Sequence, residues 1–189
     1  MARKVGLTQA SVLAAAGEVA DAAGFDHVTL AAVAARVGVR SPSLYAHYDG
    51  IEALRRALCL QAASMLATAL QEARRGRRGG RALEGVCLAY PTFARRHPGG
   101  YAAIHAVAPN DSDTELYLAL AEVVVPLVGC LAEMGVAPAE MIHQTRVVRS
   151  GLHGFASLER GNGFGRPVDF DLSFEHLVRL LTSAIPAAG

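Results

Sequence analysis

Apolar positions recur along most of this chain at the three- and four-residue spacing of one helix face, and no stretch alternates with the period of a strand. Val12, Ala16, Val19, Ala20 and Ala23 make a first stripe, with Thr8 as its cap and Gly24 as its stop. Leu30, Val33, Ala34 and Val37 make a second, capped by Thr29 and closed by Gly38. Ser41 followed by Pro42 starts a third, because proline lacks only an N–H that the first turn leaves unused. Leu44 and Tyr48, four residues apart, face the second helix and leave Arg40, Ser41, Ser43, Tyr45 and His47 toward the outside. Ile51, Leu54, Leu58, Met65, Leu66, Ala69 and Leu70 continue a fourth helix from Asp49 or Gly50 to about Arg75. At 1.5 Å per residue it is roughly 37 Å long, enough to join two domains.

Beyond it the pattern predicts a Gly/Arg loop over 74–81 and a helix from Ala82 to Arg96 containing Pro91. His97-Pro98-Gly99-Gly100 reads as a breaker, followed by a short helix from Tyr101 to Ala108. Ser112 or Asp113 caps a long helix to Met134, bent at Pro126. Pro138 starts a helix to Glu159. A Gly-rich loop follows, and Ser173 caps a last helix to about Ala184. The expected fold is all-α, about nine helices. Its boundary separates a three-helix domain at 1–50 from a helical domain at 51–189.

Composition agrees: Trp is absent, and Ala, Leu, Val and Gly dominate. The longest apolar run is too short for a membrane span, and the first residues do not resemble a signal peptide, so a cytoplasmic protein without membrane association is expected. Three well-separated cysteines suit buried thiols in a reducing compartment. Charge is uneven. Residues 1–81 carry eleven Lys/Arg against six Asp/Glu, and residues 82–189 carry seven against eleven. A basic N-terminal part with an acidic remainder fits a chain with one nucleic-acid-binding end. Arg74, Arg75, Arg77, Arg78 and Arg81 supply much of that excess and read as a solvated loop.

Two short capped helices with hydrogen-bonding side chains outward fit either a helix-turn-helix or a plain αα-hairpin. The stretch GVRSPSLYAHYDGIEAL decides between them by resemblance. Gly38, Val39, Leu44, Tyr45, His47 and Leu54 match the recognition region of the tetracycline-repressor (TetR) family of transcriptional regulators. Arg40 stands where that family usually has Ser, and Tyr48 where it has Phe. Ile51 replaces a Lys that commonly meets a DNA phosphate, so that contact is not carried over. YPTFARRHPGGY and the segment from Ser150 to Leu181 resemble the C-terminal domain of a TetR subgroup with a His-Gly pair, here His153-Gly154.

The resemblance implies a repressor that binds a palindromic double-stranded operator as a homodimer and is released by a small-molecule effector. DNA contacts are then expected from Lys4, Thr29, Arg40, Ser41, Pro42, Ser43, Tyr45, His47 and Tyr48. Arg40, Ser41 and Ser43 would read base edges, Thr29 and the start of the third helix would hold phosphates with Tyr45 and His47 beside them, and Lys4 would touch phosphate or the minor groove. Leu152, Phe155, Phe174, Leu177 and Leu181 on the last two helices are expected to pair with their copies. Tyr90, Phe93, Tyr101, Ile104, His105, Tyr117, His143 and Arg146 are the candidate effector pocket, an apolar wall with a few polar groups. No cofactor or metal is expected, since His105 and His143 have no nearby ligand partner. No nucleophile elbow or phosphate loop is present, and an enzyme is not expected. The rival reading is a helical dimeric interaction or ligand-binding protein that has lost specific DNA binding.

Overall fold

The computed structural model describes residues 7–110, 112–166 and 168–185. Among them the fold is all-α, with no strand. The helices are α1 (Gln9–Ala23), α2 (Leu30–Val37), α3 (Gly50–Arg74), α4 (Gly79–Arg96), α5 (Pro98–Ala106), α6 (Thr114–Glu122), α7 (Val125–Glu133), α8 (Met141–Arg160) and α9 (Phe170–Ser183). Tighter 3-10 turns occupy Phe25–His27 and Ser41–Ala46.

The chain forms two compact units that interleave in sequence. One runs through Ala63 and takes in His97–Leu120; the other holds Ser64–Arg96 and the chain from Ala121 onward. The sequence pattern had suggested one break after residue 50.

In the first unit, Thr8 caps α1 by accepting the Ser11 N–H at 3.1 Å, and the Ser11 hydroxyl accepts the Thr8 N–H at 2.9 Å. Val12, Ala16, Phe25, Val28, Val33, Leu44, Leu54 and Leu58 build the core, joined by Ala103 of α5 and Leu116 of α6. Ile51, the residue in the family's Lys position, packs half-buried against the same cluster.

The expected breaker at 97–100 is instead the start of α5, at Pro98. Gly99 and Gly100 serve close packing. A Cβ on Gly99 would lie closer than 3.0 Å to two Ala20 atoms and 2.6 Å from the Asp21 nitrogen. The Gly99 N–H also donates to Asp21 Oδ1 at 2.7 Å, which satisfies an otherwise orphaned first-turn donor.

Arg56 of α3 donates to both carboxylate oxygens of Asp113, at 2.7 and 2.6 Å, and to Glu115 at 2.7 Å. Asp113 also accepts the Leu116 N–H at 3.1 Å and so caps α6. The Arg56 hydrogen bonds, then the Leu116 N–H, hold its carboxyl down to about 2. A carboxyl lowered on folding stabilises the fold above its ordinary value of 3.8 and loses that contribution as pH falls toward 2. Asp113→Asn should therefore destabilise the protein at neutral pH. Its deficit against the parent should shrink between about pH 4 and pH 2 in urea unfolding curves. A deficit independent of pH would reject this pairing.

The single helix expected from 112 to 134 is two. Pro126 occupies the second position of α7, where its missing N–H is tolerated, and α6 ends before it. Three other boundaries also shift. The α4 helix starts at Gly79 rather than Ala82, and α8 at Met141 rather than Pro138. Asp169, not Ser173, caps α9 by accepting the Leu172 N–H at 3.0 Å.

The second unit packs Leu83, Val86, Tyr90 and Phe93 of α4 with Leu127 and Leu131 of α7, Val148 and Leu152 of α8, and Phe174 and Val178 of α9; all are buried. Phe155 meets Phe174 edge-on at 4.9 Å between ring centroids. Arg95 joins α4 to α8 and α9 through Glu159 and Asp171, each at 2.8 Å. The three cysteines are buried free thiols, and burial pushes Cys87 up to about 12 and Cys59 up to about 11. Burial raises Cys130 as well, so the thiolate form is disfavoured at all three.

Candidate nucleic-acid interface

The Thr29 hydroxyl accepts the Ala32 N–H at 3.1 Å and fixes the start of α2. Gly38 ends α2 with φ at 75°, a left-handed conformation that a side chain would strain. The Val39 N–H then donates to the Ala34 carbonyl at 3.0 Å, which turns the chain sharply into Arg40.

The expected third α-helix is a 3-10 segment, Ser41–Ala46, with Pro42 in its first turn. Its bonds from Ser43 N to Arg40 O and from His47 N to Leu44 O are both 2.9 Å. Six residues with a proline among the first two leave little room for the four-residue bonding of an α-helix.

Leu44 is fully buried and anchors this segment. Around it Arg40, Pro42, Ser43 and Tyr45 are exposed, Tyr45 to 60%, while Ser41 and His47 are half-buried. Arg40 makes no ion pair among the described residues. Thr29 is likewise exposed, at the N-terminus of α2. Tyr48, grouped on sequence grounds with the DNA contacts, is placed otherwise. Its ring is buried, and its hydroxyl donates to the Gln9 carbonyl at 3.3 Å, tying the segment to α1. Burial raises its hydroxyl pKa. Lys4 lies outside the described residues.

Two neighbouring arginines are committed elsewhere. Arg36 pairs with Glu18. Arg55 donates to the Asp26 and Val28 carbonyls at 3.3 and 3.1 Å and sits 5.6 Å above the Phe25 ring. With Arg56 on Asp113 and Glu115, both early arginines of α3 serve the first unit's own packing.

The eight residues expected to line an effector pocket divide between the units. In the first, Tyr101 and Ile104 are buried, Tyr101 meets His105 edge-on at 4.7 Å, and Tyr117 is 63% exposed. In the second, Tyr90 and Phe93 are buried, and His143 and Arg146 are exposed on α8. Of the five residues assigned to a dimer interface, Leu152, Phe155, Phe174 and Leu181 are buried within their own unit, and Leu177 is half-buried. The exposed large apolar side chains of α8 and α9 are Ile142, Val147, Leu158, Leu172 and Leu180 instead. Among the described residues no group of three or more His, Cys, Asp or Glu is placed to hold a metal ion. No single helix there is long and apolar enough to cross a membrane.

Residues 12–58 match the model of bacterial regulatory proteins of the tetR family, and residues 83–181 match the tetracyclin repressor-like C-terminal domain. The chain is 35% identical over 187 residues to the HTH-type transcriptional regulator YobS of Bacillus subtilis (strain 168), covering 98% of this chain and 96% of that one. It is 30% identical to the HTH-type transcriptional regulator Rv0681 of Mycobacterium tuberculosis (strain ATCC 25618 / H37Rv), covering 98% and 84%. The chain belongs to the TetR family.

It is a helix-turn-helix transcriptional regulator in which α2, Gly38 to Arg40 and Ser41–Ala46 form the motif. A solved structure of a protein from Rhodococcus sp. RHA1, 20% identical, shares the fold, with a TM-score of 0.82 over 97% of both chains. Spacing located the two capped segments of this TetR-family chain, and resemblance decided that they form the motif. Spacing missed the bonds that brace the motif's unit from a distance, Gly99 to Asp21 and Arg56 to Asp113. A lone acid at Asp113 before a helix and an arginine far away in sequence carry no mutual signal.

Proposed function

We propose that this TetR-family regulator binds a palindromic operator as a homodimer and represses transcription in the cytoplasm until a small molecule releases it. The observation that carries the reading is the fringe of polar side chains, Arg40, Ser43 and Tyr45, projecting around a buried Leu44. Such a segment presents donors to a major groove while its apolar anchor holds it rigid.

In this reading Arg40, Ser41 and Ser43 meet base edges, and a guanidinium fits guanine O6 and N7 with two parallel bonds. Thr29, at the positive end of α2, faces a phosphate, with Pro42, Tyr45 and His47 against the same backbone and Lys4 in the adjoining groove. Tyr48 acts through position only, by holding the segment on α1. One helix-turn-helix reads few bases. Two, related by a two-fold axis and about 34–36 Å apart, read two half-sites one turn apart.

The dimer would form through α8 and α9, whose Leu158, Leu172 and Leu180 leave apolar surface exposed. A small-molecule effector releases DNA only by favouring a conformation in which the two motifs no longer fit the half-sites. The continuous helix α3 is the element that would carry such a change. Selection of bound sequences from random duplexes tests the reading: a two-fold symmetric consensus supports it.

A further inference from the structure

The second unit contains a cleft of about 940 Å³ lined by Gly76, Arg77, Arg78, Arg81, Glu84, Gly85, Leu88 and Glu133. No residue of the expected effector pocket lines it. Its charge is unbalanced once internal pairs are assigned. Glu133 accepts the Gly79 N–H at 2.9 Å and pairs with Arg74 at 2.6 Å. The Gly79 N–H, then Arg74, with Arg78 adding to them, hold its carboxyl below the usual carboxylate range. Arg75 is held by Glu72. Arg78 and Arg81 are exposed and make no ion pair among the described residues. Arg77, Arg78 and Arg81 therefore face one uncommitted carboxylate, Glu84.

The backbone is shaped around one of these arginines. Arg77 Nη1 donates to the Ala73 carbonyl, which orients the guanidinium. A Cβ on Gly85 would lie 2.6 Å from that carbonyl oxygen and 3.0 Å from Arg77 Nη1. Only a glycine at 85 lets α4 approach the end of α3 while leaving the Arg77 guanidinium in place. Leu88 adds an apolar wall, 43% exposed. Three guanidinium groups, one of them seated, beside a short apolar wall form a receptor for a compact oxyanion with two or more negative charges on a small carbon or phosphate skeleton. Guanidinium forks bind such groups through paired, charge-assisted bonds.

We propose that this cleft binds a multiply charged oxyanion, a phosphate-bearing or polycarboxylate small molecule, at a site separate from the effector pocket. Calorimetric titration of the full-length protein, without DNA and at constant ionic strength, tests it with inorganic pyrophosphate in one arm and citrate in the other. Saturable binding of one anion per chain is expected in at least one arm, and the arm that binds identifies the source of the charge. Arg78→Gln with Arg81→Gln should weaken that binding by more than about tenfold, each lost charge-assisted bond counting for about that much. Its melting temperature without anion should be unchanged, because both side chains are exposed. Glu84→Gln should tighten binding by removing the opposing charge. The proposal is overturned if neither anion saturates or if the double variant binds as tightly as the parent. It is equally overturned if the arginine substitutions weaken only duplex DNA binding.

Discussion

Gly99→Ala is expected to destabilise the helix-turn-helix unit more than any other single methyl group added to the chain. The new Cβ would fall closer than 3.0 Å to two Ala20 atoms, within a distance real Cβ atoms do not occupy, and 2.6 Å from the Asp21 nitrogen. Backbone cannot yield as the end of a flexible side chain can, so α5 must move away from α1. That movement costs the bond from the Gly99 N–H to Asp21 Oδ1 as well as packing. Overpacking typically costs about 1–3 kcal/mol and a charged hydrogen bond about 1.5–3 kcal/mol, without simple additivity. A loss of roughly 3 kcal/mol lowers the melting temperature of a chain this size by about 6–12 °C. Gly100→Ala is the control: its Cβ would meet the Ala62 Cβ at 3.1 Å and the His97 Cβ at 3.9 Å, neither of them backbone, and a smaller effect is expected. Circular-dichroism melts of both variants decide it. A Gly99→Ala melt within two or three degrees of the parent would mean that α1 and α5 do not pack as described.

The second large effect is on DNA. Arg40→Ala combined with Tyr45→Ala should weaken operator binding strongly while leaving the fold intact. Both side chains are exposed, so little stability is at stake, within about 0.5 kcal/mol. On the proposed reading, Arg40 contributes a bidentate base contact worth about 1–3 kcal/mol and Tyr45 a phosphate bond of about 1 kcal/mol. Together they predict a loss of roughly thirty- to a thousandfold. Gel shifts and melts on the same preparation separate the two effects. Unchanged binding would remove these residues from the interface, and lost binding with a lowered melt would make their role structural.

These two predictions mark what local sequence can and cannot reveal. The start of α1 at Thr8, its end at Gly24, the cap at Thr29, the turn at Gly38 and the proline start after Ser41 were all legible. Each is settled within a few residues: Thr8 and Thr29 by side-chain caps, Gly24 and Gly38 by positive φ, and Pro42 by its fixed φ and missing N–H. Leu44 and Tyr48 were legible as inward-facing from their spacing. Even so, Tyr48 was grouped with the DNA contacts, although the same spacing pointed it at the core.

Gly99 and Gly100 misled because glycine lowers helix propensity wherever it stands, and what overrides that here is Ala20, far away along the chain. Pro126 was read as a bend, but the chain stops α6 and restarts with proline in the first turn of α7. Apolar period also could not tell one surface from another. Leu152, Phe155, Phe174 and Leu181 satisfy the spacing of an interface, yet they fill the core of their own unit. The candidate pocket suffered the same ambiguity, since a buried aromatic such as Tyr90 or Phe93 has one periodicity whether it packs against protein or ligand.

The central claim, sequence-specific recognition by the segment around Leu44 in a two-fold dimer, is tested most directly by selecting bound sequences from random duplexes with the purified full-length protein. The account predicts enrichment of a two-fold symmetric consensus with half-site centres about one duplex turn apart, 10–10.5 base pairs, or a multiple of it. Its affinity should fall steeply as salt is raised. Recovery of no consensus, with only salt-sensitive binding to any duplex, would contradict it and favour a helical dimer that no longer reads DNA.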